Sequence, residues 1–179
     1  MLLRVLGHVK NGFYIESGRF EANFLSMSDI LYGRGWRGLS LAGDPAACRA
    51  TMREPPLDTT LAGMAATQGA EALTLAQACA TRHREGPIHL LRIDATSDVL
   101  AGLDLIHCRP WVVLAEAWQA PSLPAWEPLL TSQGYRFLGS SGARRMYLAE
   151  EHAELAEATA GRGPHAGPGR AGRRIAGNP

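Results

Sequence analysis

The chain has 179 residues, 46% of them hydrophobic and 20% charged, which argues against a disordered chain and gives room for one domain with a sizeable core but not for two ordinary ones. The formal net charge of +1 conceals an asymmetry, because residues 161–179 hold Arg162, Arg170, Arg173 and Arg174 and no acid, leaving fourteen basic against seventeen acidic groups in residues 1–160. The body of the protein therefore lacks the electrostatic footprint of a nucleic-acid binder.

Met1–Val9 is too short an apolar run, and too broken by Arg4 and His8, for a signal peptide or a membrane span. Phe13–Ser17 is a strand candidate punctuated by Gly18, and Phe24, Met27, Ile30 and Leu31 then recur at helical spacing. Gly33 and Gly35 mark the end of that helix, Trp36 is a core candidate, and Gly38–Leu41 is the next strand, closed by Gly43. Strand, glycine turn, amphipathic helix, strand is the opening βαβ unit of a nucleotide-type α/β sheet, whose first turn lets a ligand approach the backbone. Asp44 reads as the N-cap of a short helix reaching about Glu54, which Pro55 and Pro56 stop. Residues 57–72 show no clear period. Thr74-Leu-Ala-Gln77 is a capping box, with a helix to about Arg84.

Ile88–Ile93, with Asp94 at its carboxyl end, and Trp111–Ala115, followed by Glu116, are near-continuous apolar runs. Parallel strands buried on both faces read this way. Ser122 and Pro124 open a helix carrying Trp126, Leu129 and Leu130 inward, and Gly134 ends it. Tyr135–Leu138 and Arg145–Ala149 form a candidate antiparallel pair joined through Gly139-Ser-Ser-Gly142, and Glu150–Ala160 is a last helix. Nine of the nineteen residues from 161 to 179 are Gly or Pro, which predicts a disordered tail after a domain spanning residues 1–160. The three cysteines, Cys48, Cys79 and Cys108, form no C-x-x-C pair. They predict buried reduced thiols in a cytoplasmic protein and no metal site. One lysine against seventeen arginines, with 20 Gly and 11 Pro, fits a GC-rich bacterial coding sequence.

Several residues stand where such sheets bind ligands. Gly18 follows the first strand, where any Cβ would obstruct a close-lying ligand, and an ordinary turn glycine is the competing account. Glu16 is a candidate to orient a cofactor ammonium, or else caps the following helix. Asp94 lies at the carboxyl end of a central strand, beside the topological switch point. Glu116, also at a strand end, is a second candidate base, though a salt bridge with Arg92 or Arg109 accounts for it equally well. His89, within a strand, reads as a satisfied core residue, and His107 as a surface-turn residue.

The phrases GFYIESG, YGRGWRGLSL, TLAQAC, LLRID, LAGLDL, RPWVVLAEA, WEPLL, GYRFL and YLAEEHAELAEA resemble, in order and wording, those of FkbM-type S-adenosylmethionine-dependent methyltransferases. The resemblance runs from about Gly12 to Ala158. It implies a Rossmann-like class I methyltransferase sheet, mostly parallel with a carboxyl-terminal antiparallel hairpin. It also implies S-adenosylmethionine as cofactor and O-methylation of a small or saccharide hydroxyl; the charge balance and the lack of a long apolar run add the expectation of no nucleic acid and no membrane as partner. Carried over residue by residue, the resemblance puts Glu16, Ser17, Gly18 and Asp94 on the cofactor, with Asp44 able to stand in for the ribose acid only if its loop is rebuilt; by their strand-end positions Asp94 and Glu116 are the candidate catalytic carboxylates.

This chain departs from the family on the cofactor side. The first motif, roughly D-V-G-A-N in the family, reads Glu16-Ser17-Gly18-Arg19-Phe20 here. The family's I-E-P at the end of the second strand has become Leu41-Ala42-Gly43, with Asp44 two residues on as the nearest acid. Its I-D-V-E-G-A-E appears as Ile93-Asp94-Ala95-Thr96-Ser97-Asp98. The short stretch between Pro45 and Thr74 leads to the expectation that the third strand, on the adenine side, is missing. A non-catalytic remnant of the fold, serving as a binding protein, is the alternative these departures raise.

Overall fold

A computed structural model describes residues 1–17, 27–42, 59–63, 75–94, 103–117 and 124–156. Its centre is one sheet of seven strands: β1 (Phe13–Ser17), β2 (Arg37–Ala42), β3 (Thr59–Gly63), β4 (Leu90–Asp94), β5 (Val112–Glu116), β6 (Tyr135–Ser141) and β7 (Arg144–Ala149), in the order β3-β2-β1-β4-β5-β7-β6. Strands β1 to β5 run parallel and β7 pairs antiparallel with both β5 and β6. The predicted α/β class, the parallel body and the closing hairpin are all present.

The expected loss of an edge strand is corrected by β3. Thr59–Gly63 pairs in parallel register with Gly38–Ala42 and forms the edge beyond β2. Five residues with two adjacent threonines show no alternation, so pairing with β2, rather than local pattern, defines this strand. The hairpin also differs from expectation. Strand β6 extends to Ser141 through an irregularity between Phe137 and Gly139, and the turn is Gly142-Ala143, with Gly142 at φ +58°. A helix at Leu2–Leu6, which carries no side-chain cap and no acid in its first turn, has no counterpart in the sequence reading. The helices Met27–Tyr32, Leu75–Glu85 and Glu127–Thr131 fall inside predicted helical stretches. The predicted helix at 44–54, the tail at 161–179, Gly18, Asp44 and Cys48 lie outside the described residues.

Alternation along the strands divides the core in two. One face buries Ile15, Leu41, Leu91, Ile93, Val113, Ala115 and Tyr147 against Leu75, Ala78 and Cys79 of the helix Leu75–Glu85, together with Trp126 and Leu130. The other buries Tyr14, Leu90, Val112, Leu114, Met146 and Leu148 against Val5, Leu6, Leu31 and Trp36. Trp36 is buried at 1% exposure and sends its indole N–H to the Val9 carbonyl at 3.2 Å. Two glycines serve this packing: a Cβ on Gly12 would strike the Trp36 ring, and one on Gly38 the Tyr14 ring. Cys79 and Cys108 are buried free thiols, as expected. No helix among the described residues is long and apolar enough to cross a membrane.

Candidate functional site

Because successive side chains alternate across a sheet, Glu16, Arg92, Asp94, Glu116 and Arg144 all share the face that carries Tyr14, Leu90, Val112, Leu114 and Met146. The register brings them together at the carboxyl ends of the central parallel strands. Glu16 pairs with Arg92 across β1–β4, Asp94 with Glu116 across β4–β5, and Glu116 with Arg144 across β5–β7. Five charges thus step across four strands at the sheet's switch point, between β1 and β4. Open α/β sheets take their ligands there.

Glu116 is the anchor. Its Oε1 and Oε2 accept from Arg92 Nε and Nη2, both at 3.1 Å, and Arg144 Nε donates to Oε1 at 2.9 Å. Its side chain is only 1% exposed, so the charge is viable there because two guanidiniums surround it. Arg92 completes the link to β1, its Nη1 lying 3.6 Å from Glu16 Oε2. Burial works against the Arg92 charge, but the hydrogen bonds and charge of Glu116, with the charges of Glu16 and Asp94, hold it above the usual arginine range.

Among the predicted site residues, the structure thus joins Glu16, Asp94 and Glu116 on one face. Ser17, 4% exposed, points to the opposite face, the side of Ile15 and Ile93. The reading of Glu116 as one half of a salt bridge with Arg92 is realised, and Arg109 goes elsewhere. It donates to Glu151 through Nε and Nη2, both at 2.6 Å, and to the Gln133 and Gly134 carbonyls. Sequence reasoning did not assign Arg92 or Arg144 to the site. The available signal was an arginine interrupting an otherwise apolar, doubly buried strand, since a buried arginine requires a partner.

The histidines fall where expected. His89 Nδ1 accepts the Phe13 backbone N–H at 3.0 Å, which satisfies it within the core. His107 is exposed on a turn, 2.6 Å from Asp104 Oδ2. A depression lined by Lys10, Asn11, Gly33 and Arg34 lies at the opposite, amino-terminal end of the strands, away from the charge ladder.

No family model matches the chain, and no curated protein matches it. Among solved structures, it is similar to the METTL16 MTase domain, with a TM-score of 0.53 and 14% sequence identity, over 82% of this chain. The chain spans 63% of that domain's length. At this identity the likeness concerns the fold, and the fold of this chain is the Rossmann-like methyltransferase sheet.

Proposed function

We propose that the protein is an S-adenosylmethionine-dependent methyltransferase of the FkbM type, acting on the hydroxyl of a small molecule or saccharide. One observation carries this reading: at the carboxyl ends of β1, β4 and β5, three carboxylates (Glu16, Asp94 and Glu116) face two guanidiniums (Arg92 and Arg144). Among the described residues carboxylates thus outnumber guanidiniums at the switch point, a balance that suits a ligand with positive centres. S-adenosylmethionine has two, a sulfonium and an ammonium. The motif phrases from Gly12 to Ala158 support the family assignment.

When bound, the cofactor supplies a methyl group on a positively charged sulfur. The chain's part is to hold and align. Glu16 is suited to the ammonium, Gly18 to close backbone approach beside Ser17, and Asp44 to the ribose hydroxyls. Asp94 and Glu116 divide their duties. Both Glu116 oxygens already accept guanidinium N–H groups. Asp94, at the carboxyl end of β4 beside the switch point, is the carboxylate placed to take the proton from the acceptor hydroxyl, while Glu116 keeps Arg92 and Arg144 in place. Positioning supplies most of what an in-line methyl displacement needs.

A second reading has its own observation. Arg92 lies against Glu16, the carboxylate meant for the ammonium, as expected of a related fold whose ligand end is closed by internal ion pairs. Calorimetry separates the two. Titration of the purified protein with S-adenosylmethionine and S-adenosylhomocysteine is expected to give saturable heats with dissociation constants of roughly 1–100 μM, or about −8.2 to −5.5 kcal/mol. Absence of heat with both ligands up to about 1 mM overturns the methyltransferase reading in favour of the second.

A further inference from the structure

The charge ladder also bears on discrimination between cofactor and product. Arg92 is the only member of the five that faces two carboxylates on different strands, Glu116 on β5 and Glu16 on β1. Its contacts are unequal. Nε and Nη2 form a two-pronged bond to Glu116 at 3.1 Å, the fork geometry that fixes a guanidinium in one orientation. Nη1 is left 3.6 Å from Glu16, beyond ordinary hydrogen-bond distance, so Glu16 meets Arg92 mainly as a charge. With the Arg92 side chain 13% exposed and that of Glu16 2%, water screens this charge little. Arg92 therefore offsets part of the negative potential that Glu16 and Asp94 create at the ends of β1 and β4, from a position that Glu116 holds fixed.

Resting on the methyltransferase reading above, we infer that Arg92 is a specificity-determining residue, setting how strongly the site prefers the sulfonium cofactor to its demethylated thioether product. The two ligands share the adenosine, carboxylate and ammonium groups and differ by one methyl and one positive charge on sulfur. Their affinity ratio therefore reports the local potential at the sulfur, while the affinity of either alone also reports shape and fold. The carboxylates raise the preference for the charged ligand. Arg92 lowers it and so limits how far cofactor outcompetes product.

The test is the ratio of dissociation constants, product over cofactor, measured by calorimetry in the parent and three variants. Arg92→Met removes the charge and keeps much of the side-chain length, so the ratio is expected to rise about tenfold, equivalent to about 1.4 kcal/mol. Arg92→Lys keeps the charge and should stay within about twofold of the parent, the rescue expected of an electrostatic role. Arg144→Gln removes a charge that is 45% exposed and more screened, with an expected rise of about twofold to threefold. A purely structural role for Arg92 would weaken both ligands together and leave the ratio unchanged. That result in Arg92→Met overturns the inference. If Arg92→Met does not fold, an unchanged ratio in Arg144→Gln, or a strongly shifted one in Arg92→Lys, overturns it instead. If the parent binds neither ligand, the methyltransferase reading falls first and this inference with it. Binding of both with unchanged ratios removes this inference alone.

Discussion

The two ends of the same parallel strands are built from opposite materials. At the carboxyl end, Glu16, Arg92, Asp94, Glu116 and Arg144 share one face, and three of them form a buried ion-paired chain. At the amino end, rings meet in sequence, the first two contacts edge-on. Trp36 meets His89 with centroids 5.5 Å apart, His89 meets Trp111 at 4.5 Å, and Trp111 meets His152 at 4.4 Å. Burying large rings contributes directly to stability. Burying charges recovers their desolvation cost only through well-made pairs, and well-packed apolar residues often do the same job as well or better. A charged network kept at the end where such sheets bind ligands, with an aromatic floor at the other, suggests a division between ligand chemistry and stability.

The aromatic end gives the largest expected effect. Trp36→Ala is expected to destabilise the protein by roughly 3–5 kcal/mol, because a fully buried indole and its hydrogen bond to Val9 are both lost. Denaturant titration checks this. A variant within about 1 kcal/mol of the parent would mean that the floor is not where stability resides. The charged end should respond less. Glu116→Gln removes one charge between two guanidiniums while nearly preserving shape, and about 3 kcal/mol is expected because the buried Arg92 loses its two-pronged carboxylate partner. Unchanged or raised stability would show that the ladder serves the ligand alone, which would sharpen the contrast.

Most of this architecture was legible from local pattern. Continuous apolar runs announced β4 and β5, and Gly33, Gly35 and Gly134 ended helices as expected, Gly35 and Gly134 having positive φ. Strand β3 was not legible, since Thr59–Gly63 gains its identity from pairing with β2. The helix Leu2–Leu6 has no capping signal and is held by burial of Val5 and Leu6 on the sheet. At the site, Glu16, Asp94 and Glu116 could be picked out because carboxylates at strand ends are visible in one dimension. Of their connection only the Arg92–Glu116 pair was visible, as one of two alternatives. The connection as a whole depends on register, which sets Arg92 beside Glu16 and one step diagonally from Glu116, and on a hairpin that returns Arg144 to the same edge. Long-range pairing of this kind leaves no periodic trace in the sequence.

The smallest of the three effects concerns acid, and it also tests the floor. His89 is 8% exposed, accepts the Phe13 N–H through Nδ1, and sits between Trp36 and Trp111. Burial, followed by the charges of Arg82, His152 and His8, pushes it down from the usual 6.5 to about 4. In this range the unfolded chain takes up the proton before the folded one does, so folding stability falls as pH drops below about 6.5 and the loss levels off below about 4. By roughly pH 5 the loss reaches about 2 kcal/mol relative to neutral pH, because each pH step of one below the unfolded value costs about 1.4 kcal/mol. Carboxylates held low by their partners, such as Glu151 beside Arg109, add their own acid dependence mainly at lower pH. The comparison is therefore made against His89→Asn, which offers an amide oxygen to the Phe13 N–H and has nothing to titrate. Denaturation midpoints followed from pH 7 to pH 5 should fall more steeply in the parent than in the variant, by an amount equivalent to about 2 kcal/mol. Parallel slopes would mean that His89 accepts a proton without disturbing its ring contacts, and that the aromatic end tolerates charge as readily as the carboxyl end does.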